Sequence, residues 1–71
     1  MGSELHEQLD ELRSSLEEIA EHLGELVIKS LREAVAQGIR ERPLIERKLT
    51  QARRAVEKAA WILGEVHKPD E

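Results

Sequence analysis

The feature that most limits what this chain can fold into is a ladder of aliphatic residues: Leu5, Leu9, Leu12, Leu16, Ile19, Leu23 and Leu26. Its steps alternate four and three residues over three heptads, the spacing that keeps one apolar seam along a supercoiled helix. A second ladder, Ile45, Leu49, Ala52, Val56, Ala59, Leu63 and Val66, repeats the alternation. Between the two lie Gly38, suited to ending a helix, and Pro43, suited to the first turn of the next. The spacing predicts an all-α helical hairpin forming one domain over residues 1–71. It has a long helix at about 3–38, a turn at about 39–43 and a shorter helix at about 43–66. Ser3 is the expected N-cap, with Glu4 and Glu7 at the positive end of the helix dipole. Residues 1–2 are expected to be a disordered or vector-derived start, and 67–71 a disordered tail.

Gly24 is the ambiguous point of the first helix. A lone glycine costs roughly 1 kcal/mol in a helix interior, and no Pro, Asn or Asp accompanies this one. Around it the apolar phase shifts from Leu23 to Val27, Leu31, Ala34 and Gly38, a four-residue stutter that unwinds a supercoil locally without ending the helix. A continuous first helix is therefore expected. Beyond the stutter, Ile28, Val35 and Ile39 widen the apolar surface past a two-helix seam.

Unequal helix lengths bear on assembly. Folded back from the turn, the second helix is expected to cover the first only as far as Ile19, leaving residues 4–18 projecting with Leu5, Leu9, Leu12 and Leu16 bare. Each such side chain gains roughly 1.5–3 kcal/mol on full burial, so a partner is expected. Charge suggests how it approaches. Eight acidic residues and a single basic one, Arg13, lie between Glu4 and Glu25, whereas nine basic and four acidic residues lie between Lys29 and Lys58. Two first helices pairing antiparallel about a point near His22 would set each acidic overhang beside the partner's basic turn. The expected assembly is thus an antiparallel homodimeric helical bundle with two-fold symmetry. Its self-association interface comprises Leu5, Leu9, Leu12, Leu16, Ile19, Leu23 and Leu26, with Trp61 packing near the dimer centre.

Other chemistries find little in the residue set. There is no Cys to supply a disulfide, a zinc-binding thiolate or a nucleophile. Ser14, Ser15, Ser30 and Thr50 lack a histidine placed as their base, so no catalytic residues and no enzyme activity are expected. His6 with Asp10, and Glu18 with His22, stand four apart on a helix, a spacing at which imidazole and carboxylate can share a metal. The simpler account is a solvated acidic helix. His22 and Glu18 remain the only metal candidates, and no cofactor is expected. The basic surface of Arg47, Lys48, Arg53, Arg54 and Lys58 could meet phosphates. Net charge is −4 and Trp61 is the sole aromatic residue, so pairing with acidic helix is expected instead of nucleic acid. No basic leader precedes an apolar run, and no stretch is apolar enough to span a membrane, so a cytoplasmic protein is expected.

Residues 16–26, Leu-Glu-Glu-Ile-Ala-Glu-His-Leu-Gly-Glu-Leu, together with Gly38, the run Lys48-Leu49-Thr50-Gln51-Ala52 and Val56, resemble the small subunit of exonuclease VII. The resemblance spans about residues 16–56 and implies a non-catalytic partner of a large nuclease subunit. This chain lacks the short linker between that family's first two helices. The residues alone thus lead to a non-enzymatic, self-associating interaction module whose expected partner is itself, with another protein as a second candidate. Two alternatives stay open, an accessory subunit of a nucleic-acid enzyme and a designed bundle.

Overall fold

In the computed structural model, which describes residues 3–67, two α-helices pack side by side as a hairpin. The expectations for residues 1–2 and 68–71 lie outside the described residues. Helix α1 spans Ser3–Ala36 and helix α2 spans Leu44–His67. The hairpin measures 57 × 19 × 15 Å. Among the described residues no helix is long and apolar enough to cross a membrane.

Helix α1 passes through Gly24 unbroken. It stops two residues earlier than the spacing suggested, because Gly38 takes the left-handed conformation (φ 78°) that closes a helix. The Ile39 amide donates to the Ala34 carbonyl at 2.9 Å and the Gly38 amide donates to the Val35 carbonyl at 3.0 Å. These two bonds form a Schellman motif and satisfy carbonyls that the helix end would leave orphaned. Helix α2 opens at Pro43, whose carbonyl accepts the first helical bond from the Arg47 amide at 3.2 Å. Proline costs nothing at such a position, since the amide it lacks would have had no partner. At the other end α2 runs through Gly64 to His67, a residue assigned to the tail by the spacing.

The contact between the helices is built from small residues. Among the described residues, Ala20, Ala34 and Ala60 are the buried apolar ones, and no large side chain is fully buried. Two glycines are covered by arginines of the opposite helix. A Cβ on Gly24 would stand 3.4 Å from the Arg53 guanidinium, and one on Gly64 would stand 3.1 Å from Arg13 Nη1. The guanidinium end of each arginine thus lies over a glycine, filling the space that a side chain there would have taken.

These cross-contacts correct the expected overhang. The 24 residues of α2 extend about 36 Å at 1.5 Å each, enough to bring Gly64 to Arg13 instead of stopping near Ile19. The projecting part of α1 is therefore about residues 3–9. Leu9 and Leu16, expected to be bare, are half-buried, whereas Leu5 and Leu12 stay 59% and 55% exposed.

Gly24 and Gly38 should respond oppositely to alanine. Gly24→Ala removes a helix-interior glycine and displaces only the mobile end of Arg53, so chemical denaturation should show a gain of about 0.5–1 kcal/mol. Gly38→Ala forces a side chain into the left-handed region and should cost about 1–2 kcal/mol.

Candidate interaction surface

The two ladders meet on one side of the hairpin. At 3.6 residues per turn, each ladder separates into an inner row turned toward the other helix and an outer row turned away from it. The inner rows, Leu9, Leu16 and Leu23 on α1 with Leu49, Val56 and Leu63 on α2, are half-buried. The outer row of α1 is Leu5, Leu12, Ile19 and Leu26, of which Ile19 is 48% exposed and Leu26 is 39% exposed. The outer row of α2 is Ile45, Ala52, Ala59 and Val66, in which Ile45 is 62% exposed. Because the buried positions on the two helices are Ala20, Ala34 and Ala60, both ladders are rotated to the same side of the helix contact. The result is one flat aliphatic face running most of the length of the molecule.

Trp61 does not belong to that face. It lies on the opposite side of the hairpin, lining a groove of about 670 Å³ with Arg13, Glu17, Glu21, Arg53 and Glu57. Sequence spacing placed Trp61 one position outside the second seam. The helix contact centres on Ala60 and not on the seam itself, which turns position 61 to the far side. The buried Ala20 and Ala60 lie among its lining residues, and its walls carry both signs of charge. Arg13 Nε is shielded from solvent and has no hydrogen-bond partner among the described residues. Nearer the turn, the same side carries an aliphatic patch of Ile28, Leu31 and Val35 beside Arg32. Of these, Ile28 and Val35 are residues the spacing marked as excess apolar surface, and Leu31 belongs to the seam shifted by the stutter.

One polar cluster fastens the turn to α2. Glu46 is only 3% exposed. Arg42 donates to both its oxygens, through Nε to Oε1 and through Nη2 to Oε2, the latter at 3.0 Å. The Thr50 hydroxyl donates to Oε2 at 2.8 Å. The hydrogen bond from Arg42 holds the Glu46 carboxyl below its ordinary pKa; burial opposes this, and the Thr50 bond and the Arg42 charge reinforce it. The same bond raises the Arg42 guanidinium. Glu46 also sits in the first turn of α2, where the helix dipole favours an anion. Periodicity gave no warning of this residue, since a Glu in a helix-opening turn usually faces water. The spacing of Arg42, Glu46 and Thr50 at four-residue steps was the available signal.

The metal candidates are not assembled into a site. Glu18 and His22 are exposed on α1, and no three His, Cys, Asp or Glu side chains among the described residues converge as a metal would require. Charge is distributed by end. The open end of the hairpin carries the acidic half of α1, and the turn end carries Lys29, Arg32, Arg40, Arg42, Arg47 and Lys48. Comparisons with family models, curated proteins and solved structures find no match to this chain.

The Glu46 cluster makes a signed pH prediction. A carboxyl whose folded pKa is lowered adds stability above its unfolded value, about 4.3, and loses it as pH falls through the folded value. Glu46→Gln should therefore lower the melting temperature at pH 7 and converge with the parent as both are titrated below about pH 4. Circular dichroism melts of the two proteins across that range check it.

Proposed function

We propose that this chain is a non-catalytic helical interaction module that associates with a second copy of itself through the ladder face. The assembly is an antiparallel homodimer, a four-helix bundle whose outward surfaces remain available to other proteins. The observation that carries this reading is the exposure of Leu5, Leu12, Ile19 and Leu26 on α1 with Ile45, Ala52 and Val66 on α2, on one side of the hairpin. A contiguous aliphatic face of this length marks an interaction surface in a chain otherwise 37% charged. Among the described residues the buried apolar positions are alanines and the inner-row leucines are only half-buried, so the leucines gain further burial when a partner covers them.

Charge supports the antiparallel sense. Placing the turn of one hairpin beside the open end of the other sets basic against acidic, while the parallel alternative stacks like charges at both ends. Such complementarity chooses orientation more than it adds affinity. A cytoplasmic setting belongs to the same proposal, because a chain with no cysteine has no disulfide to lose in a reducing compartment.

Light scattering tests the reading. The parent should have the mass of two chains at micromolar concentration. Leu12→Glu with Ile19→Glu should have the mass of one, because these outer-row residues serve the face and leave the half-buried inner rows in place. Retention of the parental mass by the double variant would sink the ladder-face interface. Stoichiometric co-purification with a larger catalytic chain, without self-association, would favour the accessory-subunit arrangement instead.

A further inference from the structure

The two ladders are the same ladder displaced. Every rung of the second lies 40 residues after its counterpart in the first, from Leu5 and Ile45 to Leu26 and Val66. Inside one hairpin this identity is not used. The helices run antiparallel, and Arg53 and Arg13 reach across to Gly24 and Gly64, a register in which facing residue numbers total about 77. Leu12 is thus level with Glu65 and Leu26 with Gln51, so the rungs of one helix are not paired with those of the other. A constant spacing that the hairpin itself does not exploit needs another explanation.

We infer that the second copy docks in the register that brings each residue of the α1 ladder level with the residue 40 positions later in its partner. The inference rests on the self-association proposed above and fixes its geometry. An antiparallel two-fold reverses the partner along the hairpin axis, so α1 of one copy and α2 of the other run the same way, diagonally across the bundle. All seven rungs then coincide as layers. Large meets small at the middle layers, with Leu12 level with the partner's Ala52 and Ile19 level with the partner's Ala59, the alternation that fills a shared core without voids. A slip of one heptad preserves the phase but strips rungs from the ends of the ladder, and any other slip breaks the four-three match.

The register also locates the axis. It falls at half the difference between 77 and 40, between Glu18 and Ile19, a turn before the His22 position that charge balance alone suggested. Across this axis Ile19 faces its own copy on one side of the bundle, and Ala59 faces its own copy on the other. The acidic start of each α1 reaches the level of the partner's Pro43 and Leu44, beside the basic turn.

Four single-cysteine variants test this in a chain that has no other cysteine: Gln8→Cys, Ser15→Cys, His22→Cys and Lys29→Cys. All four positions are exposed and lie on the outer flank of the α1 ladder. Nitroxide labels at each, read by pulsed dipolar spectroscopy in the homodimer, report the separation between the two copies. At 1.5 Å per residue, labels at positions 15 and 22 should be offset along the bundle by about 10 Å, and those at 8 and 29 by about 30 Å. Equal short distances at all four positions would mean parallel hairpins and overturn the register. A minimum at position 15 alone or 22 alone would mean a heptad slip and overturn it too. The absence of dipolar coupling with the mass of a single chain would instead remove the self-association on which the register stands. Ala59→Cys gives an independent check: on oxidation or with a short bismaleimide it should cross-link to its own copy, while Val66→Cys should not.

Discussion

The close approach of two helices along Ala20, Ala34 and Ala60 governs the rest of this molecule. Small residues at the line of contact let the backbones near one another, and an arginine laid over each interior glycine completes the surface. Had leucines occupied that line, the two ladders would have closed on each other and little apolar area would have remained. Because alanine and glycine occupy it, the leucines are rotated aside, half covered in the inner rows and largely exposed in the outer ones. The hairpin is therefore a scaffold that holds an aliphatic face flat, and not a domain with an interior of its own. A chain of this size seldom buries enough apolar surface to stand alone, and leucines left half-buried or exposed make that shortage acute.

The turn and the charge pattern reinforce the same division. Gly38 and Pro43 set the reversal within the seven residues between the helices. Arg42, Glu46 and Thr50 then anchor the loop to the start of α2 through a carboxylate nearly withdrawn from water. Basic side chains gather at this end and acidic ones at the other, giving the rod opposite ends that discriminate between ways of laying two hairpins together.

Much of this could be read from residue spacing. Two ladders, a left-handed glycine and a helix-opening proline define a two-helix hairpin within two residues of the observed boundaries, and the missing companions of Gly24 explain why α1 does not break. Which side of each helix would face the other was harder to see. A heptad seam of leucine suggests itself as the contact, yet here the contact runs through the alanines and glycines beside it. That offset explains why Trp61, near the seam in sequence, lines the opposite groove. The overhang was misjudged because α2 reaches Arg13, a contact made by a charged side chain that hydrophobic periodicity does not register. Glu46 was hidden for a related reason, since its burial depends on the path of the loop that brings Arg42 over it.

The short Schellman-closed turn also has a kinetic consequence. Every contact between the helices can be reached by zipping outward from Gly38, so the earliest native pairs, near Ala34 and Pro43, enclose only a small loop and cost little chain entropy to close. Contacts at Arg13 and Gly64 span most of the chain and gain only once the intervening turns are in place. The acidic beginning of α1, farthest from the turn and with the fewest neighbours, is the last part to be ordered by this route and the first to fray when it reverses.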